Sequence, residues 1–171
     1  MTNMIPQWHA DHLTFSRLLD QLKQQVAEFH EDGEPDYDRM LDIVTCLREF
    51  GDRVHHPFED TAFARLVMRD PDLRLPINRL KQEHRAIAAA GEELVSLLKG
   101  IIGDAVVLRS RVEAAAALYL VYYRHHLATE EREILPRAAQ LLTHDDWKAI
   151  AREAPAEPDA AIGTRAALLL A

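Results

Sequence analysis

His55-His56-Pro57-Phe58-Glu59-Asp60 is the stretch on which the fold turns. His55 and Glu59 stand four residues apart, about one turn of an α-helix, so both side chains leave the same face. A lone histidine, His12, precedes His55 by 43 positions. Further along, His84 precedes His126 by 42, and Glu130 again follows four residues after His126. The order lone His, gap, His-x-x-x-Glu therefore occurs twice. Two lone histidines and two His–Glu pairs, carried on four helices, can converge inside one bundle. Four imidazoles and two carboxylates are a ligand set suited to a pair of iron ions.

The two halves correspond beyond these residues. Asp11-His12 aligns with Glu83-His84 at an offset of 72, which also places Phe15 on Ile87, Leu22 on Leu94 and Val26 on Leu98. Glu59-Asp60 aligns with Glu130-Glu131 at an offset of 71. A helical hairpin used twice explains both offsets, each hairpin giving one His from its first helix and a His–Glu pair from its second. A pseudo-twofold between the hairpins brings the two glutamates towards a common centre, as a bridge between two metals requires.

Hydrophobic periodicity supplies the helices. Helix A carries Ile5, Trp8, Phe15, Leu18, Leu19, Leu22, Val26 and Phe29. After the break at Gly33 to Asp36, with Asp36 as N-cap, helix B runs from about Tyr37 to Met68. Pro57 lies inside it, lacks the amide that would bond the carbonyl of Arg53, and predicts a kink beside His55. Asp70-Pro71-Asp72 ends that segment. Helix C starts near Leu75 or Pro76 and reaches Gly100; Gly103 and Asp104 mark a loop. Helix D covers about Leu108 to Leu135, where Pro136 kinks or ends it and helical residues resume to Leu142. Asp145 and Asp146 open a short fifth helix with Trp147 and Ile150. Strand signals are almost absent. The expected fold is all-α: an up-down-up-down antiparallel four-helix bundle with a short C-terminal helix and tail. Residues 1–153 form the bundle domain and 154–171 the tail, which is either loose or docks Leu168 to Leu170 on a neighbour.

Composition narrows the function. A chain of 171 residues with 48% hydrophobic and 28% charged residues has the make-up of one globular domain. A net charge of −8 argues against nucleic-acid binding. No apolar run approaches the roughly 20 residues of a membrane span. The N-terminal MTNMIPQWHADH lacks the basic and apolar regions of a signal peptide, and Cys46 is the single cysteine. A cytoplasmic location is expected, and a homodimer stays open.

The alternatives at each position are plain. His55–Glu59 and His56–Asp60 are both spaced for one helix face, whereas His126–Glu130 has no rival, because Thr129 follows His125 by four. The internal alignment selects His55, leaving His56 and His125 behind the ligands or at the surface. His9, three before His12, is a candidate additional ligand or gate. His30 and His144 read as surface residues. Tyr119, Tyr122 and Tyr123 read as core packing, with a phenol bonded to a bridging oxygen, or serving as a metal ligand, as the alternative. Trp8, Phe15, Phe50 and Phe58 build a dry wall. Glu131 and Glu133 are solvated charges or acceptors behind the ligands, and Cys46 is a small core residue.

The segments WHADH, HHPFEDTAF, KQEHRAI and RHHLATEEREILP, spread over about residues 5 to 140, resemble the hemerythrin-like, HHE cation-binding family. The resemblance implies a four-helix bundle around a non-haem di-iron centre. By motif position it assigns His12, His55, Glu59, His84, His126 and Glu130 as ligands to two iron ions with an oxo or hydroxo bridge. Oxygen-carrying members place a second His four residues after the helix C ligand, where this chain has Ala88, and use a His-x-x-x-x-Asp pattern on helix D. Simple oxygen carriage is therefore disfavoured. The four-His, two-Glu set is closer to iron–sulfur-repair proteins and to iron- or oxygen-sensing domains. Those repair proteins carry a Cys-bearing N-terminal segment, and a sensing role here calls for a separate partner.

Two functional classes follow. The first is a binding protein that binds or senses oxygen, nitric oxide or iron. The second is an enzyme or repair factor that decomposes peroxide or nitric oxide, or delivers iron for cluster repair. A metal-free helical scaffold would require the six-residue repeat to be coincidence.

Overall fold

Helical periodicity is realised throughout. The computed structural model describes residues 4–29, 33–155 and 160–171, and among these all regular structure is helical, with no strand. His30, expected at the surface, lies outside the described residues. The first helix, α1 (Ile5–Glu28), has Pro6 in its first turn, where a missing N–H breaks no helical bond. It buries Trp8, His12, Phe15, Leu18, Leu19, Leu22 and Val26 as one stripe. Helix α2 (Tyr37–Leu47) begins at Asp36, whose carboxylate accepts the Arg39 N–H at 2.9 Å.

The expected kink beside His55 takes a specific form. Residues Arg48–His55 are π-helical, and the His56 N–H donates to the carbonyl of Gly51, five residues back. Helix α3 (His56–Arg69) follows, with Pro57 in its first turn. An α-helical path would push the proline ring into the preceding turn and leave a carbonyl without its amide. Widening that turn makes room for the ring. The same solution recurs at Pro136. Helix α5 (Arg109–Thr129) widens to a π segment at Glu130–Ile134, and α6 (Leu135–Leu141) resumes with Pro136 in its first turn.

Other boundaries shift slightly from the expectation. A 3₁₀ turn at Pro71–Leu73, capped by Asp70, leads straight into α4 (Arg74–Ile102). The fifth expected helix, α7 (His144–Glu153), starts at His144, with Thr143 as its N-cap, rather than at Asp145 or Asp146. Thr143 Oγ1 accepts the Asp146 N–H, and Asp146 accepts the Thr143 N–H, a reciprocal cap. The tail contains α8 (Ala160–Leu169). Ala166 enters the core, Leu169 and Leu170 pack against it, and Leu168 faces outward. Arg165 ties α8 to α2 through Asp42 at 2.7 Å.

Helix α1 packs on α2 and α5, and α4 packs on α2 and α5. Their apolar stripes form two separate clusters. One holds Phe15, Leu22, Met40, Leu94, Val112 and Tyr119 among others; the second holds Trp8, Phe63, Leu66, Leu80, Ile134 and Trp147. Along each helix the histidines lie between the two: His12 between Trp8 and Phe15, His84 between Leu80 and Ile87, His126 between Tyr123 and Ile134. A polar layer is thus clamped between two dry ones. Among the described residues no helix is long and apolar enough to cross a membrane.

Asp146 also links α7 to α3, through Arg69 Nε at 2.9 Å. Burial pushes its carboxyl up, but hydrogen bonds from Arg69 and Thr143 outweigh this and bring it from 3.8 down to about 2. A carboxyl depressed in the folded state stabilises fully above its unfolded value and loses that contribution as pH falls through its folded one. Asp146→Ala should cost about 1–2 kcal/mol at neutral pH in urea unfolding. The gap between variant and wild type should close between about pH 4 and 2; an unchanged gap would contradict this role of the cap.

Candidate metal centre

Six side chains, from α1, α3, α4, α5 and the two π segments, meet in the polar layer. His12, His55, Glu59, His84, His126 and Glu130 are all buried, with both glutamates fully enclosed. Glu59 faces two directions. Its Oε1 lies 3.1 Å from His12 Nε2 and 2.8 Å from His55 Nε2, while its Oε2 lies 3.2 Å from His84 Nε2. Glu130 spans the same gap: its Oε2 lies 3.4 Å from His12 Nε2 and 3.3 Å from His126 Nε2, and its Oε1 is 3.9 Å from His84 Nε2. His84 and His126 approach at 3.1 Å between Nε2 atoms. Two groups of side chains have donor atoms close enough to hold a metal ion: His12, His55 and Glu59; and His56, Glu59, His84 and His126. Glu59 belongs to both.

Each of the four expected histidines turns Nε2 inward and Nδ1 towards an outer carboxylate. His12 Nδ1 lies 2.7 Å from Glu131, His55 Nδ1 3.0 Å from Asp11, His84 Nδ1 3.2 Å from Asp60, and His126 Nδ1 3.1 Å from Glu83. At His12, His55 and His126 a proton held on Nδ1 would donate outward and leave the Nε2 lone pair facing the centre, the arrangement that orients imidazole towards a metal; at His84 the carboxylate is at ion-pair distance without a hydrogen bond. Of these acids the sequence reading considered only Glu131. The signal was nevertheless present in the repeat. Asp11 and Glu83 each precede a lone histidine and back the His of the same hairpin; Asp60 and Glu131 each follow a glutamate and back the His of the opposite one.

The charges are unbalanced in a way a cation would correct. Burial raises the Glu59 carboxyl, yet the charge of His55 and the close approach of His12, His55 and His84 hold it well below the usual range. Glu130 goes the other way: burial, and then the negative charge of Glu59, push it well above. Burial lowers His55, but Glu59 and Asp11 outweigh it and lift the imidazole to about 9. His84 is raised, with Asp60 and Glu59 overcoming burial, whereas burial prevails at His126 and lowers it. Both Glu130 oxygens, Glu59 Oε2 and His55 Nε2 are buried without a hydrogen-bond partner in the protein. Unpartnered polar atoms of this kind are costly, and once the site is deprotonated a cation satisfies them together. The residues present therefore fit a metal.

The neighbours divide clearly. Trp8, expected only as a wall, also donates from Nε1 to Glu59 Oε1 at 2.6 Å. Phe15 meets the His55 ring edge-on at 4.9 Å, and Phe63 stacks on His84 at 5.9 Å. His9 is half exposed and bonds Glu131 at 2.9 Å, so it stands outside the cluster. His125 is exposed and Glu133 pairs with Arg132 at the surface. Tyr122 faces outward, contrary to the inward position considered for it, because Tyr119, Tyr123 and His126, spaced four and three residues apart, form the buried face of α5. His56 departs most from expectation: it is buried within the second donor group. A cavity of about 380 Å³ opens beside His55, with Trp8, Asp11, Phe50, Phe58 and Pro155 among its walls.

Below the cluster, the π segment approaches α5 closely. A Cβ at Gly51 would fall 2.3 Å from the Tyr123 hydroxyl oxygen. Gly51→Ala should destabilise the fold by about 1–3 kcal/mol through overpacking, and Tyr123→Phe should recover much of the loss. Simple additivity in a double-mutant cycle would show that the contact is not the cause.

Proton release gives a second check. A metal needs neutral imidazoles and ionised carboxylates. His55, raised to about 9, holds a proton at pH 7, and burial and the charge of Glu59 shift Glu130 towards its protonated form, so metal uptake should expel at least one proton. Affinity should therefore rise with pH towards about 9 and fall in acid. Calorimetry in buffers of different ionisation heat counts these protons; a count of zero would refute the assignment of charges.

Comparison with curated proteins and with solved structures found no match. Residues 3–138, most of the chain, match the family described as the hemerythrin HHE cation-binding domain. With a buried His/Glu cluster that can hold a metal already set in an all-helical frame, the chain belongs to the hemerythrin HHE cation-binding domain family.

Proposed function

We propose that the protein holds two non-haem iron ions in this cluster and uses them to bind or sense a small ligand: oxygen, nitric oxide or iron itself. The observation that carries the reading is the double-facing geometry of Glu59 and Glu130, each lying between the His12 side and the His84–His126 side. His12 and His55 would hold one ion, His84 and His126 the other, and the two glutamates would span both. A donor set of imidazole and carboxylate without thiolate suits iron, manganese or zinc, and of these iron supports the proposed ligand chemistry. Iron supplies open coordination positions and a change between two oxidation states.

The chain's own residues do the rest. Asp11, Asp60, Glu83 and Glu131 orient the imidazoles. Trp8, Phe15 and Phe63 exclude water, and the cavity beside His55 is large enough for a diatomic molecule or peroxide. The reading includes an up-down-up-down antiparallel arrangement of four long helices over residues 1–153, the tail 154–171 contributing α8, and a cytoplasmic location.

The test is metal analysis and optical spectroscopy on protein from iron-supplemented cells. About two irons per chain are expected, falling strongly in His84→Ala and Glu130→Ala variants that retain helical circular dichroism. Addition of oxygen or nitric oxide to the reduced protein should give a stoichiometric, reversible spectral change. Sustained consumption of the added ligand would instead favour an enzyme, and full metal loading in both variants would exclude this site.

A further inference from the structure

His56 neighbours His55 yet turns into the other half of the cluster. It is 4% exposed, and its ring stacks on that of His84 with centroids 4.2 Å apart and planes 10° from parallel. The His126 ring lies 5.5 Å away, edge-on. Its donor atoms fall with those of Glu59, His84 and His126 in one group, all within 4.8 Å of one another.

The orientation repeats that of the four histidines already described. His56 Nδ1 is turned towards an outer carboxylate, Asp52, at 3.6 Å, an ion-pair separation longer than a hydrogen bond, and Nε2 is buried with no hydrogen-bond partner in the protein. Asp52 in turn lies against Arg48, 3.5 Å away and one helical turn earlier. A histidine kept only for packing would leave this buried nitrogen unsatisfied, which is costly. The π segment explains the placement. It ends at His55, so two adjacent histidines emerge at the wide turn before Pro57, one towards His12 and one towards His84.

We propose that His56 is a fifth imidazole ligand, through Nε2, to the metal held by His84 and His126, with Asp52 as its orienting acid. The two metal positions are then unequal: three imidazoles on the α4–α5 side against two on the α1 side. This rests on the two-metal reading above and adds a residue that the repeat does not supply, since the equivalent position in the second half is Leu127. It also implies that the α4–α5 position is the tighter and the slower to lose its metal.

The test begins with the iron-loaded wild-type protein, crystallised and located by anomalous scattering. His56 Nε2 should lie about 2 Å from the ion nearer His84, a bonding distance for imidazole. His56→Phe, which keeps a ring stacked on His84 but has no donor, should weaken metal retention at one position by about 10–100-fold in a chelator competition. His56→Ala should show the same defect, with added imidazole restoring it. A wild-type pair bound with His56 Nε2 more than about 3 Å away, beyond any bond, overturns the proposal, as does a Phe variant that retains both ions like wild type. Absence of any metal pair in the wild type would overturn the two-metal reading itself, and this proposal with it. The crystal structure decides the matter even if neither variant folds.

Discussion

Two carboxylates, Glu59 and Glu130, share one enclosed space, and this constraint organises the rest of the molecule. Without compensation one of them must keep a proton, because like charges at such range in a dry interior repel strongly. The protein supports the ionised Glu59 with Trp8 and three histidines and leaves Glu130 as the raised member. Ringing the pair with imidazoles, and each imidazole with an outer acid, converts an expensive burial into a cradle of lone pairs aimed at one place. The acids Asp11, Asp60, Glu83 and Glu131 sit nearer solvent, where their own charge is easier to hold.

Such a cradle works only if the helices cannot slide. Two apolar clusters, above and below, hold the polar layer in register, and their dispersion contacts make the position of each histidine a consequence of core packing. The π segments matter for the same reason. Arg48–His55 and Glu130–Ile134 each absorb a proline two residues beyond their end, so α3 and α6 continue without a sharp break. In each case a member of the site, His55 or Glu130, lies within the widened turn. π-helical turns often occur where a side chain must be aimed at a site rather than at the helix's own neighbours.

The outer elements fasten the bundle's ends. Helix α7 is held to α3 by Arg69–Asp146 and by Arg65–Glu153, and its last residues with Pro155 wall the cavity beside His55. Helix α8 lies on α2 and α1, pinned by Arg165 between Asp42 and Glu49. Neither contributes to the cluster, and both cover apolar surface that the longer helices would otherwise leave to water.

Much of this was legible in the residues themselves. The period of apolar positions marked every long helix, because a 3.6-residue repeat is a local property of the chain. The doubled His and His-x-x-x-Glu order singled out the six side chains that the structure brings together, because four residues along a helix share a face whatever surrounds it. Even the outer acids were written in the repeat, as Asp11 and Glu83 before the lone histidines and Asp60 and Glu131 after the glutamates. Tertiary structure alone decided which acid serves which histidine, since two of the four pairings cross between hairpins. It alone turned His56 inward and His9, His125 and Tyr122 outward, because that choice depends on how far a helix is wound where it meets its neighbours. Pro57 announced a disturbance in the chain; only packing against α4 and α5 determined that the disturbance would be a wide turn presenting two histidines to two sides of one site.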